Sequence, residues 1–323
     1  MVRPGPAIPT TGWRARVFAA TGGLVNPGVG ATEQARLELV RHARTPLHGP
    51  HRVAVISIKG GIGKTTVAAC LGLMLAGIRG DGVIAMDADP DAGTLADRIS
   101  GAPRSGVRDL LADLDRITSV SELAAYTSLS GRLRVLAGDQ DPAQGEAFRA
   151  DEYERVQAVL ARFFDILVTD CGTGLVHSAM QGTLRTADRL VVIGAPTVDG
   201  ASRAGKTLDW LLAHGHRSLA DQAVLVLCAD RTSHEVDRAA IREHFTRRCA
   251  DVIEIPADPH LRAGGLIDLD RLAPGAREAF LRLAAVVADG FARDPADRTH
   301  ARGLPVGTTD PPMAVPDVTP AGV

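Results

Sequence analysis

Long apolar segments are missing from this sequence. No stretch of the 323 residues supplies the roughly 18 consecutive apolar residues that cross a bilayer. The N-terminal segment also lacks the apolar core and small-residue cleavage site of a signal peptide. The cysteines, which show neither a CxxC pair nor the spacing of zinc ligands, are Cys70, Cys171, Cys228 and Cys249. We therefore expect a reduced, cytoplasmic protein without a membrane span or a disulfide framework.

A large excess of charge of either sign is absent as well. The formal net charge of −2 argues against a protein that coats nucleic acid or anionic lipid along its whole surface. Lysine is scarce, because nearly all the positive charge is arginine, and the three lysines are Lys59, Lys64 and Lys206. With 45% apolar residues, the chain can bury a substantial core. The first two lysines lie in one short glycine-rich segment, which makes that segment the first candidate for function.

Short β-branched segments alternate with helical patterns from His51 onward. This alternation predicts an α/β fold, a mostly parallel twisted sheet with helices on both faces. The apolar segments predict strands at 52–58, 83–86, 133–136, 166–169, 189–194, 223–228 and 252–255. The periodic segments predict helices at 32–43, 64–78, 151–162, 201–214, 234–248 and 274–292. Several strands are apolar throughout, as expected when helices cover both faces.

Composition divides the chain into three parts. Residues 1–50 have little periodicity before Thr32 and carry more arginine than acidic residues, which predicts a flexible basic arm with one short helix. Residues 51–292 contain the alternating pattern and predict the globular domain. Residues 293–323 are rich in proline, glycine and threonine, which predicts a disordered tail.

The segment SIKGGIGKTT, residues 57–66, lies between an apolar strand and a helix. This is the context that a phosphate-binding loop requires. Glycines allow successive backbone N–H groups to turn toward β- and γ-phosphates, and the positive end of the following helix adds to the attraction. Lys64 would neutralise phosphate charge, and Thr65 would offer its hydroxyl to Mg²⁺. The predicted nucleotide-binding residues of the loop are Gly60, Gly61, Ile62, Gly63, Lys64, Thr65 and Thr66.

Lys59 distinguishes this loop from the usual G-x-x-x-x-G-K-[ST] pattern, whose first glycine would fall at Ile58. The variant K-G-G-x-G-K-T resembles the deviant Walker A loop of the ParA/MinD-type P-loop ATPases of the SIMIBI class. In that family, the lysine that matches Lys59 projects across a dimer interface onto the phosphates held by the partner subunit. The resemblance therefore implies ATP binding and hydrolysis, a homodimer formed around Mg-ATP, and a catalytic role for Lys59 in the opposite subunit.

Three aspartates follow predicted strands at the edge where ligands bind in open α/β sheets. Asp87 and Asp89, in MDADP, resemble the switch I segment of the same family, and Asp170, in ILVTDCGTG, resembles its Walker B and switch II segment. The resemblance implies that Asp89 orients the attacking water. It also implies that Asp87 and Asp170 support Mg²⁺ together with Thr65. Relatives often carry Pro-Pro after this last aspartate, whereas residues 172–174 here are Gly-Thr-Gly.

The residues that recognise the base are less clear from the sequence. Many relatives place an asparagine after a late strand, but the matching segment here is LVLCADRTS, and the chain's one asparagine is Asn26. Asp230 or Arg231 could replace it. The segment IPADPHL, residues 255–261, is expected to form a wall of the base site through Pro256. The choice of adenine over guanine follows from the resemblance alone.

The resemblance covers about residues 50–292 and implies a nucleotide-switched dimer that positions or recruits another macromolecule. The basic arm and the arginine-rich composition resemble MinD-like ATPases of actinobacteria with type VII (ESX) secretion systems, which implies a secretion-system component as partner. One alternative is a DNA-partitioning ATPase, for which the candidate DNA contacts are Arg238, Arg242, Arg247 and Arg248. Another is an ATP-dependent ligase of the dethiobiotin or cobyrinate type, although no substrate pocket for it is evident in the sequence.

Overall fold

The computed structural model describes residues 8–10, 12–89, 93–103, 105–138, 148–175, 178–230 and 236–293. The strands are β1 His51–Ser57, β2 Val83–Ala88, β3 Ser128–Ser130, β4 Leu133–Leu136, β5 Ile166–Thr173, β6 Arg189–Gly194, β7 Val224–Cys228 and β8 Asp251–Ile255. The helices before β5 are α1 Gly12–Ala20, α2 Ala31–Ala43, α3 Lys64–Ile78, α4 Leu95–Ile99, α5 Val107–Asp113, α6 Val120–Leu123 and α7 Ala150–Leu160. The later helices are α8 Ser178–Thr186, α9 Val198–Ala213, α10 Arg217–Asp221, α11 Arg238–Thr246, α12 Pro259–Arg262 and α13 Pro274–Ala288.

All eight strands belong to one sheet with the order β3-β4-β2-β5-β1-β6-β7-β8. β3 pairs with β4 in antiparallel fashion, and the other neighbouring pairs are parallel. The predicted α/β class with a mostly parallel sheet is therefore confirmed. Because β1, β2 and β5 are adjacent and parallel, their carboxyl ends lie at the same edge of the sheet.

Helices cover the sheet on both faces, as the apolar strands predicted. Val53 and Val55 of β1 belong to a buried cluster that includes side chains of α3 and α13, among them Phe280. Ala54 and Ile56 point the other way and belong to a cluster with side chains of α8 and α9. The alternation of side chains along a strand therefore gives β1 two buried faces.

β2 and β5 are longer than predicted, and this difference shapes the site. The prediction ended them at Met86 and Thr169, because polar residues and glycine follow. In the structure, pairing between β2 and β5 continues through Asp87 opposite Asp170. β5 also pairs with β1 as far as Thr173, after an irregularity in the register. Backbone pairing with neighbouring strands therefore keeps both aspartates inside the sheet.

The sequence did not predict α1, α4, α5, α6, α8, α10, α12 or β3. The expectation of little regular structure before Thr32 is wrong for α1, which buries none of its residues and so lacks the apolar periodicity by which helices are recognised. α9 begins at Val198 rather than at 201, because the hydroxyl of Thr197 accepts from the N–H of Gly200 and caps the helix. The tail beyond Arg293 lies outside the described residues, and the division at residues 50 and 293 stays a prediction. None of the helices within the described ranges combines the length and the apolar character needed to cross a bilayer.

The predicted helix near the N-terminus, α2, packs against α13 of the central domain. Arg79, which is buried, fastens the end of α2, because its guanidinium donates to the carbonyl oxygens of Ala43 and, at 2.9 Å, of Thr45. The same guanidinium lies over the ring of Phe291, 4.9 Å from its centroid. In return, Nε of Arg44 donates to the Ile78 carbonyl at 2.7 Å.

We expect Arg79→Ala to lower the free energy of unfolding by about 1–3 kcal/mol, because two backbone carbonyls lose their donor. Urea denaturation measures this change. The control is Arg132→Ala, which removes an exposed arginine that donates to the Gly80 carbonyl and should cost less than about 0.5 kcal/mol. Equal losses in the two variants would contradict the role assigned to Arg79.

Candidate functional site

The glycine-rich loop begins directly after β1 and ends at the first turn of α3. Ser57 closes its start, since its Oγ donates to the carbonyl of Lys59 at 2.6 Å and accepts from the N–H of the same residue at 3.0 Å. Gly61 and Gly63 adopt φ values of +68° and +99°, which favour glycine. A Cβ on Gly63 would also lie 3.1 Å from Sγ of Cys228. The loop therefore requires glycine at both positions to keep its shape.

Lys64 brings the predicted carboxylates together. Its Nζ lies 2.8 Å from Oδ1 of Asp170 and 3.3 Å from Oδ2 of Asp89, and its side chain is only 7% exposed. Asp87 is fully buried and pairs in strand register with Asp170. One lysine and three aspartates, all predicted from the sequence, thus meet at the carboxyl edge of the sheet.

The charges in this cluster are not balanced. Burial alone would lower the pKa of Lys64, but the charges of Asp170 and Asp89 outweigh it and raise that pKa above the ordinary value. Burial raises the pKa of Asp170, although the Lys64 ammonium opposes this shift. Burial and the charge of Asp170 raise the pKa of Asp87 to about 7. A cluster with more buried carboxylates than cations favours the arrival of a further cation.

Backbone groups and two glycines form the surroundings of Asp87. Its Oδ1 accepts from the N–H of Asp89, and its Oδ2 from the N–H of Leu95 at the start of α4, both at 3.0 Å. A Cβ on Gly93 would overlap the Asp87 carboxylate, and one on Gly138 would lie 3.2 Å from its Cγ. Neither glycine was among the predicted site residues. Gly93 could have been noticed, because it closely follows the paired aspartates.

The donor set suits a hard cation such as Mg²⁺. Oδ2 of Asp170 is buried and has no hydrogen-bond partner within the described part of the chain. The Thr65 hydroxyl is near enough to lower the pKa of this aspartate. No group of three or more His, Cys, Asp or Glu residues in the described ranges forms a complete metal site. Mg²⁺ on Thr65 and these carboxylates would therefore take further ligands from phosphate and water, as it commonly does.

A cavity of about 110 Å³ adjoins the loop. Five predicted nucleotide-binding residues line it, namely Gly61, Ile62, Gly63, Thr66 and Pro256. The base-site candidate Asp230 lines it too and forms an ion pair with Arg262, 2.8 Å apart. No pattern in the sequence indicates Arg262, because its contact with Asp230 joins distant parts of the chain. Arg231 lies outside the described residues.

Lys59 does not join the Lys64 cluster. Its Nζ lies 2.6 Å from Oδ2 of Asp199 in the first turn of α9, and Oδ1 of Asp199 lies 2.9 Å from Nε of Arg203. The bond from Lys59, and then the contact with Arg203, lower the pKa of Asp199. The Lys59 side chain is 36% exposed. Asp199 was not among the predicted site residues, although its place shortly after a predicted strand puts it at the same edge of the sheet.

A glycine loop between a strand and a helix, with a lysine and aspartates at the carboxyl edge of a parallel sheet, defines a P-loop nucleotide-binding protein. The family model for the CobQ/CobB/MinD/ParA nucleotide binding domain matches residues 53–266. The chain belongs to this family. The resemblance found in the sequence is therefore confirmed.

Two relatives share about a third of their aligned residues with this chain, and one of them is a secretion-associated protein. The ESX-1 secretion-associated protein EspI of Mycobacterium tuberculosis (strain H37Rv) is 33% identical over 288 residues. The alignment covers 87% of this chain but 42% of EspI, so the chain spans less than half the length of this relative. The uncharacterized ATP-binding protein MJ0547 of Methanocaldococcus jannaschii is 31% identical over 216 residues, which cover 65% of this chain and 75% of that protein.

Solved structures show the same fold. The cell division ATPase MinD of Pyrococcus furiosus matches with a TM-score of 0.59 and 23% identity, over 74% of this chain and 98% of that one. A ParA family ATPase of Chlorobium tepidum matches with a TM-score of 0.58 and 19% identity, over 79% and 96% of the two chains. MinD of Pyrococcus horikoshii, solved with Mg-ADP, matches with a TM-score of 0.58 and 22% identity, over 73% and 94%.

The raised pKa of Asp87 predicts a pH dependence of stability. The folded state keeps a proton on Asp87 up to about pH 7, whereas the unfolded chain releases it near 3.8, so stability falls as the pH rises through this window. We expect the free energy of unfolding of the wild type, minus that of Asp87→Asn, to fall by on the order of 2 kcal/mol from pH 4 to pH 7. Urea denaturation of both proteins, in the presence of EDTA and without nucleotide, measures this difference in free energy of unfolding. A difference that stays constant with pH would contradict the assignment, and Asp270→Asn, at an exposed carboxylate, is the control.

Proposed function

We propose that this protein is an ATP-driven molecular switch that dimerises around Mg-ATP, hydrolyses it, and recruits a protein partner in type VII secretion. The observation that carries the proposal is that the two loop lysines contact different carboxylates. Lys64 lies among the carboxylates of its own site, whereas Lys59 is held outside that cluster by Asp199. The partial exposure of Lys59 beside the loop supports a role for this lysine in a neighbouring subunit.

In this proposal, the loop residues 60–66 bind the triphosphate. Backbone N–H groups at Gly60, Gly61 and Gly63 face the phosphates, and Lys64 exchanges its contacts with Asp89 and Asp170 for contacts with phosphate oxygens. The exchange is favourable, because the buried Lys64 ammonium keeps negatively charged partners in the phosphate oxygens. The carboxylates that it leaves then become available to a cation. Ile62, Thr66 and Pro256 contribute to the cavity that takes the base.

Thr65, Asp87 and Asp170 would hold Mg²⁺. When bound, the cation neutralises phosphate charge and so eases attack at the γ-phosphate. Asp89 lies at the rim of the cluster with its side chain 19% exposed, and there it orients the attacking water. Asp87 supports Asp89 through the backbone bond between them. Hydrolysis then removes the phosphate that links two subunits.

Type VII secretion is proposed as the setting because EspI, an ESX-1 secretion-associated protein, matches 87% of this chain. A protein component of that system is therefore the proposed partner. The match does not extend over most of EspI, so the partner is inferred from the shared domain alone.

DNA partitioning is less well supported. Of the four arginines that the sequence offered as DNA contacts, Arg238 pairs with Glu254 at 2.6 Å, Arg247 with Glu243, and Arg248 with Asp209. Carboxylates therefore neutralise much of the patch, and a neutralised patch releases few counterions from DNA.

Dimerisation with ATP but not ADP is the central test, measured by light scattering on purified protein. We expect Lys59→Ala to abolish the dimer and Asp89→Ala to trap it, because the first removes the bridging charge and the second stops hydrolysis. Lys206→Ala, at the third lysine, is the matched control and should behave as the wild type. A monomer under all conditions that still binds ATP would favour the ligase alternative and overturn the switch.

Release of Lys59 from Asp199 gives a second test. We expect Asp199→Ala to dimerise at ATP concentrations about two- to fivefold lower than the wild type, because an exposed ion pair holds the lysine only weakly. Arg203→Ala leaves the Lys59 contact in place and should not lower the ATP concentration required. A shift of the same size in both variants, or none in Asp199→Ala, would show that this contact does not restrain Lys59.

A further inference from the structure

The cavity beside the loop contains few side chains able to recognise a base. Within the described lining, polar or charged side chains belong to Thr66, Cys228, Asp230, Asp258 and Arg262. Burial raises the pKa of the Cys228 thiol to about 12, so it stays protonated beside the loop. Thr66 lies in the first turn of α3, next to the phosphate loop.

Asp258 is already committed to the backbone. Its Oδ1 accepts from the N–H groups of His260 and Leu261 at 2.8 and 3.1 Å, and its Oδ2 accepts from that of Ala273 at 2.7 Å. The side chain is 3% exposed. Asp258 therefore caps α12 and shapes the wall, and it has little capacity left for a ligand.

Asp230 and Arg262 remain, and they lie side by side. Nε of Arg262 donates to Oδ1 of Asp230 at 2.8 Å, and both side chains are more than half exposed at the rim of the cavity. The pair presents a hydrogen-bond acceptor next to a hydrogen-bond donor. The asparagine expected in relatives has no counterpart here, because Asn26 lies between α1 and α2 and accepts from the N–H of Gly28.

We propose that Asp230 and Arg262 recognise the Watson–Crick edge of the adenine base. Adenine presents an amino donor at N6 next to an acceptor at N1, which complements a carboxylate next to a guanidinium. Asp230 accepts from N6, and Arg262 donates to N1. This inference rests on the proposed function, since it assumes that a nucleotide occupies the loop.

The walls of the cavity suit a flat ring between these contacts. Four apolar side chains line the space, namely Ile62, Val67, Pro256 and Phe280. The ion pair between Asp230 and Arg262 is exposed and so contributes little to stability. A base can therefore separate the two side chains at a small cost in free energy.

The position of Arg262 is fixed by its neighbours rather than by the pair. Arg262 is the last residue of α12, whose first turn Asp258 caps. Arg98 of α4 donates from Nη2 to the carbonyl of Leu261 at 3.3 Å and from Nε to that of Gly265 at 3.0 Å. The backbone that carries Arg262 is thus fastened at two points before any ligand binds, which lowers the entropy lost on binding.

The test pairs each side chain with the base atom that it contacts. Calorimetry would measure the affinity of the full chain with Mg²⁺ for ATP, for purine riboside triphosphate, which lacks the N6 amino group, and for 1-deaza-ATP, which lacks N1. We expect the wild type to bind ATP about three- to tenfold more tightly than either analogue. In Asp230→Ala only the preference over purine riboside triphosphate should disappear, and in Arg262→Ala only the preference over 1-deaza-ATP.

Asp270→Ala is the control, because it breaks a comparable exposed pair with Arg277 away from the cavity and should leave both preferences intact. If the wild type binds ATP but both preferences survive in both variants, the inference is overturned while the proposed function stands. If the wild type binds no nucleotide, the proposed function fails instead. A wild type that binds GTP more tightly than ATP would overturn the adenine assignment.

Discussion

The contact between Lys64 and Asp170, at 2.8 Å, is the interaction on which the site depends. It forms because β1, β2 and β5 are parallel neighbours, so that the loop after β1 ends beside the aspartates of the other two strands. Burial makes each of these charges costly unless it is paired. One lysine lies among three carboxylates, and burial together with the charge of Asp170 raises the pKa of Asp87. The site is therefore electrostatically incomplete, a property that favours ligands which bring both phosphate and a cation.

Small residues make this concentration of charge possible. Gly93 and Gly138 leave room for the Asp87 carboxylate, and backbone N–H groups rather than further charges satisfy its oxygens. One of those N–H groups belongs to Leu95 at the start of α4, and Arg98 of the same short helix holds the wall of the cavity. The carboxylate cluster and the cavity beside the loop are thus both in contact with α4.

The two loop lysines differ in environment more than in sequence position. Lys64 is buried and surrounded by carboxylates of strands, whereas Lys59 is partly exposed and contacts one carboxylate at the start of α9. Two hydrogen bonds with the Ser57 hydroxyl hold the backbone of Lys59 at the start of the loop. Both ammonium groups contact an aspartate carboxylate. The Lys59–Asp199 contact is exposed enough for water to compete with it, whereas the Lys64–Asp170 contact is buried.

The sequence by itself determined the sheet, the loop and the identity of the charged residues, because apolar strands, glycine spacing and the positions of Lys64, Asp87, Asp89 and Asp170 are local patterns. It missed α1, which buries none of its residues, and helices such as α4 and α6, whose five and four residues are too few to show a repeating apolar pattern. Tertiary structure alone decided that β2 and β5 continue through their aspartates, that Lys59 meets Asp199, and that Asp230 meets Arg262. Those contacts join residues far apart in the chain, and only the packing of strands and helices sets the distance between them.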